Sequence, residues 1–101
     1  MQNSDFNNIL KIIQKCARNY GMDVTMSDYN AQFNLAFISI MSKVPYLSLV
    51  CSIEIDGVFI TIEDIENDTK KSYKISNMVN NLDKLNAIID MILYSNAIKY
   101  A

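Results

Sequence analysis

The side chains in this sequence that could do chemistry are carboxylates, lysines, tyrosines and two cysteines, because histidine is absent. Histidine is the side chain best suited to proton transfer near neutral pH and the commonest transition-metal ligand, so the simplest routes to a general base or a zinc site are missing. Gly21 and Gly57 are the two glycines, and neither stands in a Gly-rich pattern that would cradle a phosphate. No serine occupies a GxSxG elbow. What remains for an enzyme or small-ligand binder is acid–base and hydrogen-bond chemistry by carboxylates and tyrosines, with Glu54, Glu63 and Tyr73 as candidates.

The densest acidic region contains Glu54, Asp56, Glu63, Asp64, Glu66 and Asp68. Asp64, Glu66 and Asp68 have the spacing with which a calcium loop opens, but Thr69 replaces the required glycine and Ile75 the closing glutamate. An EF-hand is therefore excluded, and no metal or cofactor is expected. The plain reading is a solvated edge and turn whose charges deter edge-to-edge pairing. The functional readings are a weak cation site or an acidic docking surface for a basic partner, the latter made of Glu54, Asp56, Glu63, Glu66 and Asp68.

Lys11, Lys15 and Arg18 recur at helical spacing and could touch phosphates, with Lys70, Lys71 and Lys74 as an extension if the fold brings them near. No aromatic residues interleave with them, and the pI of about 4.8 runs against a dedicated nucleic-acid binder. They read as a solvated helix face. Cys16 and Cys51 lie in apolar patterns outside any CxxC pair, as buried thiols in a reducing compartment do. No run approaches the ~20 apolar residues of a membrane helix, and no segment has signal-peptide order. A cytoplasmic location is expected.

These side chains must be positioned by a chain of 101 residues, half of them apolar, which suffices for one domain over residues 1–101 with a core that needs no staple. The first helix is predicted to start after Ser4 or Asp5 and to stop at Tyr20–Gly21, with Phe6, Ile9, Leu10, Ile13, Cys16, Ala17 and Tyr20 as its apolar stripe. Met22, Val24 and Met26 predict a short strand, with a turn over residues 27–30. Residues 32–40 predict a second strand, with Phe33, Leu35 and Phe37 alternating before a bulge shifts the phase to Ile38 and Ile40.

In residues 46–66, Leu47, Leu49, Cys51, Ile53 and Ile55 alternate up to Asp56-Gly57, a dipeptide suited to a two-residue turn. The expected register pairs Ile55 with Val58, Ile53 with Ile60 and Cys51 with Ile62. It also places Tyr46 and Phe59 on the face away from the helices, with Phe59 across from Glu54. A polar turn over 67–71, a strand over 72–76 carrying Tyr73 and Ile75, and a long helix capped by Ser76 or Asn77 complete the pattern. The core stripe of that helix is Met78, Leu82, Leu85, Ile89 and Ile92. The fold class is α+β: an N-terminal helix, a four- or five-stranded antiparallel sheet and a C-terminal helix, with both helices on one sheet face as a two-layer sandwich.

The last helix also carries Ala87, Met91, Tyr94 and Ile98 at i, i+4, i+7 and i+11, nearly opposite its core stripe. A helix apolar on two sides must bury both or leave one adhesive. The second side can meet another copy of the chain, a different protein, or parts of this domain such as the segment around Tyr29. The first is preferred, which predicts a homodimer. In size, acidic pI and order of elements the chain resembles the dimeric chaperones of bacterial type III secretion, without the helix those proteins insert among their strands. That resemblance implies a non-catalytic binder of client proteins. A small accessory or inhibitory protein of phage or viral type fits the same features, and a non-enzymatic protein-interaction module covers both.

Overall fold

The computed structural model describes residues 2–42, 48–56, 59–64 and 69–99. Tyr46, Leu47, Gly57, Val58, Glu66 and Asp68 lie outside the described residues.

Helix α1 (Asn3–Asn19) starts two or three residues earlier than expected, capped at Gln2 rather than at Ser4 or Asp5; Asp5 lies in the first turn, where its Oδ2 accepts the Gln2 N–H at 2.9 Å. It ends as predicted. The Tyr20 and Gly21 N–H groups return to the carbonyls of Ala17 and Arg18, and Gly21 takes φ +70°, a conformation that costs glycine little. Phe6, Ile9, Ile13, Cys16 and Ala17 are buried on one side.

The sheet has five strands, β1 (Met22–Asn30), β2 (Leu35–Ser42), β3 (Ser48–Ile55), β4 (Phe59–Asp64) and β5 (Thr69–Lys74), in the spatial order 1-2-3-4-5 and antiparallel throughout. Every connection is between neighbours. Ala36, Ile38, Ile40, Ile53, Ile55, Ile60 and Ile62 point to the helices and are buried, so both helices lie on that face, and among the described residues nothing covers the other, here called the bare face.

The expectations for β1 and β2 are corrected. Residues 27–30 are not a turn but the second half of β1. Their polar side chains reflect an edge strand open to water, and an irregularity between Val24 and Met26 turns Met26 to the bare face while Tyr29 stays on the helix side. The turn comes at residues 31–34, where Asn30 Oδ1 accepts the Phe33 N–H and Asn34 adopts φ 50°. In β2 the inward phase is Ala36, Ile38 and Ile40, not Phe33, Leu35 and Phe37, and no phase change intervenes. Small Ala36 sits beside Tyr29, whose ring stacks on Phe6 at 5.3 Å and fills that layer instead. The irregularity lies later, between Ile40 and Met41.

The central hairpin keeps the expected faces but slips by two residues: Ile55 pairs with Ile60, Ile53 with Ile62 and Cys51 with Asp64. A two-residue slip preserves the side of every side chain, so the apolar pattern alone does not choose between these registers. Asp56 chooses. Its N–H donates to the Phe59 carbonyl at 3.1 Å and its Oδ1 accepts the Phe59 N–H at 2.7 Å, which makes Asp56 the residue that opens the turn. Asp56→Ala is expected to cost at least about 1 kcal/mol, the net worth of its exposed hydrogen bond to the Phe59 N–H. The urea midpoint should fall with an unchanged slope.

Residues 69–71, expected in a turn, belong to β5, where Lys70, Lys71 and Lys74 line an exposed edge and discourage further strand pairing. The last helix also starts later than expected. Asn77 takes the left-handed region at φ 53°, a single 3₁₀ turn follows over Met78–Asn80, and α2 runs Leu82–Lys99. Asn81 Nδ2 donates to the Ser76 and Asn77 carbonyls, so the asparagines build a local turn in competition with an earlier helix start. The buried line on α2 is Leu85, Ile89 and Leu93, with Leu82 and Ile92 half-buried beside it.

Candidate interaction surfaces

Among the described residues two surfaces remain once the core is closed, and each follows from a repeat in the sequence. On α2 the 3.6-residue period puts Leu85, Ile89 and Leu93 inside and leaves Ala87, Met91 and Tyr94 outside. Met91 is 52% exposed and Tyr94 54%. The side chain of Ile98 lies outside the described residues. The Tyr29 ring stacks on Phe6 and its hydroxyl donates to Asn34 Oδ1, while Met91 and Tyr94 stay exposed.

Between these two sides α2 meets α1 along a polar seam. Cys16 Sγ donates to Asn86 Oδ1 at 3.2 Å, and the Tyr20 hydroxyl donates to Asp90 Oδ1 at 2.8 Å. The Tyr20 and Tyr94 rings meet edge to face at 6.1 Å. The seam fixes the rotation of α2 about its axis and hence which residues face water.

Burial pushes the Cys16 thiol above its ordinary value of 9.0, with the charge of Asp90 adding and Lys15 opposing. The hydrogen bond to Asp90, then burial and neighbouring negative charge, push the Tyr20 phenol above 10.0. Both shifts are upward, so the protonated forms favour the folded state. That contribution is complete below the unfolded-state values and is lost as pH rises through the higher folded-state ones. Stability is expected to decline from about pH 9 upward, and Tyr20→Phe combined with Cys16→Ala should flatten that slope in urea titrations taken at successive pH values.

The second surface is the bare sheet face. Strand alternation places Asp28, Phe37, Glu54, Thr61 and Ser72 side by side across the five strands, with Met26, Ser39, Ser52, Glu63 and Lys70 in the next row. Met26, Phe37 and Phe59 are exposed there. Of the expected acidic surface, Glu54, Asp56 and Glu63 share this face. Phe59 is on it as expected, but beside Lys74 rather than Glu54. Met26 and Phe37 were not expected there; for Phe37 the signal was the alternation of Ile38 and Ile40, which continued backward places Ala36 inward and Phe37 outward.

The structure separates the remaining candidates. Tyr73 pairs with Ile60 on the helix side, so it does not join Glu54 and Glu63. Among the described residues no group of three or more potential metal ligands comes together. Lys11, Lys15 and Arg18 are exposed on α1, which packs over β1, whereas Lys70, Lys71 and Lys74 are on β5 at the opposite edge of the sheet. The two basic groups do not form one area.

No helix among the described residues is long and apolar enough to cross a membrane. The architecture is an α+β two-layer sandwich built on a five-stranded meander. Compared with family models, with curated proteins and with solved structures, the chain finds no match.

Proposed function

We propose that the protein is a non-enzymatic protein-interaction module that pairs with a second copy of itself through the outer face of α2. The observation that carries this reading is the exposure of Met91 and Tyr94, at 52% and 54%, on a helix whose opposite side is already buried. Self-pairing suits the face. In an antiparallel pair with its two-fold axis at Met91, Ala87 of one copy stands level with Ser95 of the other, and these small residues leave room for Met91 and Tyr94 to interlock. Ser95 can be covered at little cost, because its hydroxyl already donates to the Met91 carbonyl at 3.0 Å.

A stoichiometric binder or inhibitor of another protein is the role such a module serves, with the reduced, buried thiol of Cys16 suited to the cytoplasm. The test is the mass in solution across a dilution series. A dimer that dissociates on dilution supports the reading, and a monomer at every concentration opposes it.

A further inference from the structure

Phe37 on the bare face stands between two carboxylates, with Asp28 directly across on β1 and Glu54 directly across on β3. The residue is 39% exposed. Beside it lies a shallow hollow of about 140 Å³ lined by Phe37, Ser52, Glu54, Thr61, Glu63 and Lys70. An aromatic surface flanked by carboxylates complements an aliphatic stem ending in a cation, which gains ring contact, cation–π attraction and an ion pair together. Lys70 across from Glu63 and Lys74 across from Phe59 put the positive charge of this face on β5, away from the β1–β2–β3 side where Asp28 and Glu54 flank the ring. Met26 and Phe59 supply apolar contact farther along the same face.

We propose that the bare sheet face docks a basic, amphipathic segment of a foreign protein, with an arginine or lysine side chain lying over Phe37 between Asp28 and Glu54. The sign of the charge selects this occupant. A second copy packed face to face would set these carboxylates against each other, and phosphate-rich partners such as nucleic acid or anionic lipid would be repelled. The proposal is independent of the pairing through α2, which lies on the other side of the sheet, so a dimer could dock two such segments.

The test is titration of the intact protein with three synthetic peptides, followed by calorimetry and backbone NMR shifts: an amphipathic leucine–arginine peptide, its leucine–glutamate counterpart, and an oligoarginine of equal charge. The leucine–arginine peptide should bind and shift the amides of β2 and β3, the oligoarginine should bind at least about tenfold more weakly, and the leucine–glutamate peptide should not bind. Phe37→Ser and Glu54→Lys should each weaken binding about tenfold or more in a protein with an unchanged circular dichroism spectrum. Equal binding of oligoarginine, indifference to both substitutions, or binding abolished by Met91→Lys would overturn the proposal.

Discussion

Replacing Ile89 by alanine is expected to destabilise the fold by about 2–5 kcal/mol, the usual cost of removing a fully buried branched side chain and leaving a cavity. Ile89 is 1% exposed and sits between Leu85 and Leu93 on the one line of α2 that closes the core. Because domains of this size are stable by only about 5–15 kcal/mol, the substitution should remove a large fraction of the total and lower the melting temperature by roughly 10 °C or more. Urea unfolding at fixed protein concentration measures it, since any dimer also contributes to apparent stability by mass action. A loss below about 1 kcal/mol would mean that α2 does not close the core as described.

Two positions further on, Met91→Lys is expected to leave the fold stable within about 0.5 kcal/mol, because the side chain is exposed in the single chain. Its effect on self-association should be large. With the two-fold axis at Met91, each interface receives the substitution twice, and two lysines are brought together where two thioethers packed. Desolvating and opposing those charges should raise the dimer dissociation constant at least about a hundredfold, or roughly 2.7 kcal/mol. Sedimentation equilibrium of the two proteins at matched concentrations measures the difference. Opposite outcomes at positions 89 and 91 of one helix would separate its core side from its contact side.

Those two residues also show what was legible in the sequence. Helical periodicity carries the side on which each residue lies, so Leu85 and Ile89 were expected inside and Ala87, Met91 and Tyr94 outside, as they are. Leu93 escaped because Ile92, its half-buried neighbour, satisfies the same period nearly as well. Strands were legible as far as parity decides them. Ile53, Ile55, Ile60 and Ile62 face inward in either hairpin register, and only the Asp56 side chain on the Phe59 N–H distinguishes the two. Residues 27–30 and 69–71 were misjudged because edge strands and turns share polar composition for the same reason, contact with water on their open sides.

The interaction surfaces were legible unevenly. Phe37 was expected to share a face with Phe33 and Leu35 ahead of a phase shift, yet the small Ala36 takes the inward place beside the Phe6–Tyr29 stack and Phe37 faces out. That stack joins residues far apart in the chain, and no local pattern contains it. With Phe37 on the bare face, Glu54 becomes the neighbour of an exposed ring, where sequence proximity alone had grouped it with the acids of the following turn.

The most direct measurement of the self-association claim is light scattering behind a sizing column, run on the native chain and on Met91→Lys over a wide dilution series. The account predicts a native mass twice that of the 11.5 kDa chain at high concentration, falling on dilution, with Met91→Lys at the single-chain mass throughout. A native monomer at every concentration, or a dimer that Met91→Lys leaves intact, would contradict it.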